Sequence, residues 1–471
     1  MLMDRRRTNN ILRVIFTDKI TTYKNSIKDK TVSVCGIGIS NIPLIDFLLS
    51  AGAKITARDM KDREALGDIA DQLEAKGVRL VCGKDYLDNI EDEIIFRSPG
   101  LRYDKPGLAD AVKRGALLTS EMQVFFDLCP CKKIGITGSD GKTTTTTLIS
   151  EILKAAGKTV WLGGNIGKPL LPDVHKMTPD DFAVIELSSF QLHTMISSPE
   201  ISVVTNISPN HLDYHTDYSE YIDAKKNIYR NSTATRLVTN AENCITVGMA
   251  EENKGEVILF SSKKENDICE RDGVIYVKDT PVLKTSDIIL PGRHNVENYM
   301  AAIGATFEFV SPEAVQSVAT TFKGVEHRLE FVAEKKGVRY YNGSIDSTPT
   351  RTIAALSAFT TSNLVVICGG YDKNLDYAPL APALAGKAKY VILTGACAPK
   401  IKKALDEDSI FVNSDTKIKE CPDFEQAVLL ASESAEEGDI VLLSPAAASF
   451  DSFKNFEVRG RFFKDIVINK I

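Results

Sequence analysis

Apolar positions near the start of the chain form short runs that are separated by glycine turns and amphipathic stretches. Thr31–Cys35 is one such run, Ile42–Ser50 has the periodicity of a helix, and Ile55–Arg58 is a second run. This order predicts a βαβ unit with parallel strands. The pattern continues with a predicted helix over 64–76 and predicted strands over 79–82 and 93–96. We expect this domain to end near residue 120, and a polar lead-in before Lys30 to be helical.

A second region has the same alternation and begins near Glu121. It contains a predicted helix over 144–156 and predicted strands at Thr159–Leu162, Phe182–Glu186 and Ile201–Asn206. Apolar strands that alternate with helices are typical of a parallel sheet covered on both faces. Short β-rich pieces fill 237–290, and a predicted helix over 295–310 closes the region.

A third α/β region starts near Gly324. Its predicted strands are 364–368, 390–394 and 440–443, and its predicted helices are 350–358, 400–405 and 424–433. We therefore predict an α/β protein of three domains. Residues 1–120 form a Rossmann-like domain, residues 121–324 a P-loop ATPase-like parallel-sheet domain, and residues 325–471 a second Rossmann-like domain.

The composition fits a soluble globular protein. Of the 471 residues 43% are apolar and 25% charged, and the net charge of -6 argues against non-specific nucleic-acid binding. No apolar run has the length that a membrane span needs, and we identify no signal peptide. The nine cysteines are dispersed, which suggests reduced thiols. We expect a cytoplasmic protein that binds neither nucleic acid nor membrane.

The segment with the clearest chemistry lies between a short strand, Ile134–Ile136, and the helix predicted from Thr144. Its glycines would let backbone N–H groups surround phosphate oxygens, and the helix start favours the same anion. Lys142 would neutralise phosphate charge, and the Thr143 hydroxyl would hold Mg²⁺. The segment therefore predicts ATP binding, although Ile136 stands where the common P-loop has its first glycine. A glycine turn without a nucleotide is the alternative.

Polar residues follow the strands of the second region. Glu186 ends an apolar strand and could hold Mg²⁺ beside Thr143, or it could be a capping or surface residue. His211 follows the next strand, although a lone histidine is often structural. Lys225 lies on a predicted helix over 219–229, where a solvated face is the alternative. Asn165 lies in a glycine turn that either contacts a ligand or is only a turn.

Loops in the outer regions carry weaker signals. Gly36 and Gly38 precede Asp59 by about twenty residues, which fits a ribose contact, but Asn41 replaces the third glycine of a dinucleotide fingerprint. In the third region the loops at 341–347, 369–373 and 444–449 follow predicted strands and are rich in Ser, Gly and Lys. They suggest an anionic ligand, although ordinary loops have the same composition.

Together these segments resemble the Mur ligase family, which builds the peptide of bacterial peptidoglycan. The resemblance runs from about Lys30 to Ile471 and is carried by 163–167, 186–192, 210–213, 443–449 and 453–456. The Asp-Asn-Pro-Arg motif of diaminopimelate-adding ligases does not occur. The resemblance implies an ATP-dependent amide ligase that adds D-glutamate to UDP-N-acetylmuramoyl-L-alanine through an acyl phosphate. It also implies a cytoplasmic monomer.

The resemblance also implies roles for single residues. Lys142, Glu186, His211, Lys225 and Arg328 would be the catalytic residues. One Mg²⁺ would be held by Thr143 and Glu186, and a second by His211 and a carbamylated Lys225. ATP would be bound by Gly138, Ser139, Asp140, Gly141, Lys142, Thr143, Thr144, Asn295, Asn298 and Arg328. The UDP group would be bound by Ile39, Ser40, Asp59 and Lys61, the acceptor by Asn165, and D-glutamate by Ser347, Lys373, Ser449 and Phe456.

The chain departs from the family pattern at three places. Gly343 stands where the family usually has Asp, Ile345 where it has Lys, and Tyr371-Asp372 where it has Asp-Gly. Asp346 is a candidate substitute for the first. The alternatives are a Mur-type or folylpolyglutamate-synthase-like ligase for another amino acid, and a non-catalytic nucleotide-binding protein. A P-loop kinase is disfavoured by the three-region layout.

Overall fold

The computed structural model describes residues 18–38, 41–212 and 214–471. The chain is α/β, as predicted, and forms three mainly parallel sheets with helices beside their strands. It divides into two compact units, Met1–Lys284 with Glu297–Val318 and Thr285–Val296 with Ala319–Ile471. In the described residues, no helix is long and apolar enough to cross a membrane.

The first sheet confirms the predicted βαβ arrangement. Its five strands are parallel in the order β3-β2-β1-β4-β5. Residues 18–27 are helical, as expected for the lead-in. The strands are β1 Thr31–Cys35, β2 Lys54–Asp59, β3 Arg79–Cys82, β4 Ile94–Arg97 and β5 Leu117–Thr119; the other helices are Asn41–Ser50, Arg63–Leu66, Asp68–Ala75 and Pro106–Lys113. The strand order reverses between β1 and β4, and ligands bind beyond such a switch point.

The second sheet has nine strands in the order β14-β13-β12-β11-β10-β9-β6-β8-β7. They are β6 Lys132–Thr137, β7 Val160–Gly164, β8 Phe182–Glu186, β9 Ile201–Val204, β10 Arg236–Asn240, β11 Val257–Ser261, β12 Ile268–Arg271, β13 Val274–Val277 and β14 Thr280–Lys284. β13 pairs antiparallel with both of its neighbours, β12 and β14. Every residue of β8 and β9 is buried, as expected for central parallel strands.

The three helices predicted here, over 144–156, 219–229 and 295–310, are found at Lys142–Ala155, Tyr218–Arg230 and Arg293–Thr306, whereas the helix Cys244–Glu252 lies where only β-rich pieces were expected. The helix after the glycine turn begins at Lys142, two residues before the predicted start, and ends at Ala155. The α-helices are Glu121–Leu128, Lys142–Ala155, Ser189–Leu192, Tyr218–Arg230, Cys244–Glu252, Arg293–Thr306 and Pro312–Ala319, and the 3-10 turns are Leu171–Lys176 and Thr285–Asp287.

The third sheet has six strands in the order β15-β16-β20-β17-β18-β19, of which only the β15–β16 pair is antiparallel. The strands are β15 Glu330–Lys335, β16 Val338–Asn342, β17 Leu364–Gly369, β18 Ala388–Thr394, β19 Lys417–Glu420 and β20 Ile440–Leu443; the helices are Pro349–Ser357, Leu380–Ala385, Ala398–Asp406, Ser409–Val412, Phe424–Ser434 and Phe456–Asn469. Because β16, β20 and β17 are parallel neighbours, the loops that follow them share one edge of the sheet.

Candidate active site

The loop between β6 and the helix Lys142–Ala155 contains two glycines at which neighbouring atoms lie close to the backbone. Gly138 and Gly141 have φ angles of 149° and 77°, which side chains rarely tolerate. A Cβ atom at Gly138 would lie 1.9 Å from Thr205 Oγ1, and one at Gly141 would lie 2.4 Å from Asn298 Oδ1. Glycine is therefore required at both positions, as the phosphate-loop interpretation predicts.

The sequence after β9 holds this loop in place. Asp140 N–H donates to Asn206 Oδ1 over 3.0 Å, and Thr205 Oγ1 donates to the Asp140 carbonyl over 2.6 Å. The Ser139 hydroxyl donates to the Ser208 carbonyl over 2.9 Å and lies 2.8 Å from the Tyr221 hydroxyl. The loop is thus fixed by side chains rather than being an isolated glycine turn.

Lys142 and Thr143 lie at the start of the helix that follows the glycine loop. Lys142 Nζ donates to the Gly138 and Ser139 carbonyls, each over 2.9 Å, so the ammonium group covers the loop. Thr143 follows on the first turn and is half-buried, whereas Thr144 is buried. Asn298 is buried and accepts a hydrogen bond from Thr145 Oγ1 over 3.2 Å.

Glu186 is a buried carboxylate of which only one oxygen accepts a hydrogen bond from the described residues. It ends β8 and is 1% exposed, so the surface alternative is wrong. Its Oε1 accepts a hydrogen bond from Asn165 Nδ2 over 2.8 Å, and Asn165 N–H donates to the Glu186 carbonyl over 2.8 Å. Its Oε2 is buried and has no hydrogen-bond partner among the residues that the structure describes. A buried anionic oxygen without a donor fits a metal ion, because carboxylate oxygen is a preferred ligand of Mg²⁺.

Lys225 is 1% exposed, so the solvated-face alternative is wrong for this lysine. Its Nζ donates to the Gly138 carbonyl over 2.8 Å and to Thr137 Oγ1 over 3.2 Å. Burial, with Lys142 nearby and Glu186 opposing, lowers the pKa of Lys225 well below its usual value. A lowered pKa favours the uncharged amine, which is the form that reacts with CO₂. Lys226, the neighbouring lysine, pairs with Glu252 at the surface.

His211 lies on an exposed turn after β9 and has the left-handed φ angle of 54°. Its ring lies 4.9 Å from the Phe190 ring. Its carbonyl accepts hydrogen bonds from Tyr214 N–H and His215 N–H, each over 3.1 Å. The turn therefore carries the imidazole on strained backbone, a feature that clusters at functional sites.

In the first sheet, Asp59 ends β2 beside the β1 turn. Its Oδ2 accepts a hydrogen bond from Ile37 N–H over 2.6 Å and its Oδ1 from Lys61 N–H over 2.9 Å. The Lys61 side chain is exposed. Ile39 and Ser40, which we also assigned to this site, lie outside the described residues.

The four residues assigned to D-glutamate lie on loops at one edge of the third sheet or at the start of a helix. Ser347 follows β16, Lys373 follows β17 and is exposed, and Ser449 follows β20 and is buried. Phe456 begins the helix Phe456–Asn469. A buried arginine, Arg459, ties these loops: it donates to the Ser344 carbonyl over 2.9 Å and to the Ala447 and Ala448 carbonyls, each over 3.1 Å.

Asp346 occupies the space beside Gly343. A Cβ atom at Gly343 would lie 2.5 Å from Asp346 Oδ2 and 2.7 Å from the Leu443 carbonyl. Asp346 Oδ2 accepts a hydrogen bond from the Ser444 hydroxyl over 2.9 Å. Burial raises the pKa of Asp346 to about 7, partly offset by Ser444 and by Arg328. The carboxyl group therefore lies next to position 343, although it is attached three residues later.

Asn295 and Arg328 are the two remaining residues that the resemblance assigns to ATP. Asn295 is buried and its Nδ2 donates to the Pro291 carbonyl over 2.7 Å. Arg328 is half-buried, and its N–H donates to the Val325 carbonyl over 2.9 Å between two residues with positive φ angles, His327 and Leu329.

Sequence reasoning missed several buried or half-buried polar residues. Arg97 is 2% exposed and donates to the Leu101 carbonyl over 2.6 Å and to the Phe190 carbonyl over 2.9 Å. Arg102 and Glu220 form a two-bond ion pair. Arg97 and Phe190 are 93 residues apart and Arg102 and Glu220 are 118 apart, so no local pattern could have identified these two contacts.

Family models match most of the chain. A model described as Mur ligase MurD-like, N-terminal domain, matches residues 30–120. The Mur ligase middle domain matches residues 136–306, and the Mur ligase glutamate ligase domain matches residues 327–447.

Curated relatives are similar over nearly their whole length. A UDP-N-acetylmuramoylalanine–D-glutamate ligase of Acetivibrio thermocellus is 49% identical over 459 residues, covering 95% of this chain and 98% of that protein. The enzyme of the same name from Clostridium beijerinckii is 50% identical over 454 residues, with coverage of 94% and 98%.

Solved structures share the fold at lower identity. A UDP-N-acetylmuramate-alanine ligase from Thermotoga maritima has a TM-score of 0.57 and 19% identity, covering 94% of this chain and all of that one. A pseudomurein peptide ligase type C from Methanothermus fervidus has a TM-score of 0.53 and 20% identity, with coverage of 94% and 100%.

Proposed function

Since the chain belongs to the Mur ligase family, we propose that it is an ATP-dependent ligase that joins D-glutamate to UDP-N-acetylmuramoyl-L-alanine. Relatives that carry the name of this activity are about half identical over almost their full length, which supports the substrate assignment. The protein acts in the cytoplasm, as a monomer, in peptidoglycan precursor synthesis.

The reaction has two steps. A carboxylate oxygen of the L-alanyl group attacks the γ-phosphorus of ATP, the bond from that phosphorus to the bridging oxygen breaks, and ADP leaves. The neutral amine of D-glutamate then attacks the acyl carbon of the acyl phosphate. Inorganic phosphate leaves with the original carboxylate oxygen, the amine loses a proton, and an amide forms. Both steps bring anions together, so the protein has to neutralise charge and align the groups.

The residues around the glycine loop perform this task for ATP. Gly138 and Gly141 admit the phosphates, Ser139, Asp140 and Thr144 complete the loop, and Lys142 neutralises phosphate charge. The family resemblance assigns Asn295 and Asn298 to the adenine and Arg328 to the phosphates. Thr143 and Glu186 hold one Mg²⁺, and His211 and a carbamylated Lys225 hold the second. Bound Mg²⁺ supplies further charge stabilisation for the transferred phosphoryl group.

The outer sheets bind the other substrates. Asp59 and Lys61, with Ile39 and Ser40, bind the UDP group, and Asn165 contacts the acceptor. Ser347, Lys373, Ser449 and Phe456 orient D-glutamate. Lys373 provides the positive charge that a dicarboxylate needs.

The observation that carries the proposal is a buried carboxylate oxygen without a donor among the described residues, together with a lysine buried against the glycine loop. Within the described part of the chain no group donates to the buried Glu186 Oε2, and Lys225 Nζ donates to the loop carbonyl of Gly138. Such groups are costly in a protein that binds no metal.

A phosphate-release assay tests the proposal. The enzyme is supplied with ATP, Mg²⁺ and UDP-N-acetylmuramoyl-L-alanine, and D-glutamate is present, omitted, or replaced by L-glutamate or meso-diaminopimelate. We expect release that requires both substrates and prefers D-glutamate. Preference for another amino acid would keep the ligase and overturn the substrate. No release from folded, ATP-binding protein would favour the non-catalytic alternative.

A further inference from the structure

A charged cluster joins the first sheet's domain to the helix that carries Lys225. Arg102 lies in the chain after β4, and Glu220 lies on the helix Tyr218–Arg230. The guanidinium NH1 donates to Glu220 Oε2 and NH2 donates to Oε1, each over 3.0 Å. Both side chains are less than one-fifth exposed. Arg102 holds the pKa of Glu220 at about 2, so the carboxylate is charged at every working pH.

Two histidines face the same carboxylate. His193 Nε2 lies 3.5 Å from Glu220 Oε1, and His215 Nδ1 lies 3.4 Å from Oε2. The three side chains offer ligand atoms within 4.8 Å of one another, which is a spacing that a metal ion could bridge. The guanidinium of Arg102 already takes both carboxylate oxygens, however. The Arg102 guanidinium therefore takes the place that a metal ion would have beside Glu220. We call the pair of Arg102 and Glu220 the clamp, because it joins the first sheet's domain to the helix Tyr218–Arg230.

The clamp reaches the backbone of the His211 turn. Arg102 NH1 also donates to the Tyr214 carbonyl over 2.6 Å. Tyr214 N–H in turn donates to the His211 carbonyl over 3.1 Å. Glu220 Oε2 accepts a hydrogen bond from Thr216 N–H over 2.7 Å, which fixes the other end of the turn. One ion pair thus contacts both Tyr214 and Thr216, which follow His211 along the chain.

The backbone conformation of His211 explains why the contacts of Arg102 and Glu220 are needed. A left-handed φ angle at a residue other than glycine costs about 1–3 kcal/mol and persists only when its surroundings impose it. We propose that Arg102 and Glu220 are positioning residues that hold the His211 imidazole, across the domain boundary, in the place where it binds the second Mg²⁺. This inference rests on the proposed role of His211 as a metal ligand.

Two measurements on Arg102→Ala and Glu220→Gln test the inference. The first is the Mg²⁺ concentration that gives half-maximal phosphate release. Loss of a residue that orients a metal ligand typically weakens metal affinity about 10–100-fold, and because Arg102 acts through the backbone we expect about a tenfold increase. The Michaelis constant for D-glutamate should stay unchanged. The second is hydrogen exchange of the segment 207–217, which should become faster in both variants.

Arg271→Ala is the matched control. Arg271 donates to Glu265 through two N–H groups in an exposed pair, so its removal also breaks a two-bond ion pair but leaves the His211 turn untouched. We expect this variant to keep the wild-type Mg²⁺ dependence and exchange. If Arg102→Ala does not fold, Glu220→Gln, which keeps the side-chain size, decides. Unchanged exchange, or an unchanged Mg²⁺ requirement in an active variant, overturns the inference. An inactive wild-type enzyme would refute the proposed function instead, and the exchange measurement would still judge the clamp.

Discussion

Replacing Glu186 by Gln should stabilise the metal-free protein and abolish turnover. Glutamine keeps an oxygen that can accept the hydrogen bond from Asn165, and it removes the buried charge at the unpartnered Oε2. An unsatisfied buried polar group costs about 1–3 kcal/mol, and more when it is charged. We therefore expect Glu186→Gln to gain about 1 kcal/mol. For a domain of this size that raises the melting temperature by about 2–4 °C.

Magnesium should reverse this order of stability. An ion present at about a hundred times its dissociation constant stabilises the wild-type protein by about 2.7 kcal/mol. The variant lacks the ligand and should show a much smaller increase. Thermal unfolding with and without Mg²⁺ measures both effects, and phosphate release measures turnover. Glu252→Gln is the control, because this glutamate is half exposed and pairs with Lys226 at the surface.

Two outcomes would refute the reasoning. One is a Glu186→Gln protein that is less stable than wild type without Mg²⁺. The other is a variant that gains as much from Mg²⁺ as the wild type does. Either would show that Glu186 is a structural carboxylate and that its free oxygen binds no cation.

Three further predictions concern other parts of the site. Removing dissolved CO₂ should lower wild-type activity and bicarbonate should restore it, whereas Lys225→Arg should be inactive in both conditions. Gly138→Ala should weaken ATP binding about tenfold or more by calorimetry, because its Cβ meets Thr205 Oγ1, while Gly248→Ala, with open space around it, should bind normally. Asp346 is protonated in the folded protein up to a pKa of about 7, against 3.8 when unfolded, so its contribution to stability falls as the pH rises through that window. Urea unfolding should therefore show Asp346→Asn gaining on wild type by about 3 kcal/mol between pH 5 and 8; an equal difference at both pH values would contradict the shift.

The strands that the sequence predicted well are those with buried, uninterrupted apolar runs. Phe182–Glu186 was predicted with its final bounds, because every position of β8 is buried and the run has no competing pattern. β15, Glu330–Lys335, was not predicted. It has only three consecutive apolar residues with charges on either side, and it is a half-buried strand at the sheet edge that pairs with β16. Local patterns identify central strands better than strands defined by their partners.

The site residues also divide into those that local sequence predicts and those that depend on tertiary packing. The glycine turn and its lysine could be read locally, because nearby residues dictate their conformation. The burial of Lys225 could not, since Lys226 beside it has the same side chain and lies at the surface. The pair of Arg102 and Glu220 spans 118 residues, so only the folded chain brings the two together. Tertiary packing decides which polar residues become functional.

The most direct test of the proposed function follows the carboxylate oxygen. UDP-N-acetylmuramoyl-L-alanine labelled with ¹⁸O in the alanyl carboxylate is incubated with enzyme, ATP, Mg²⁺ and D-glutamate, and the products are analysed by mass spectrometry. We predict a product heavier by one glutamyl residue and inorganic phosphate that carries one ¹⁸O atom. Unlabelled phosphate, or the absence of the glutamyl product from folded enzyme, would contradict ligation through an acyl phosphate.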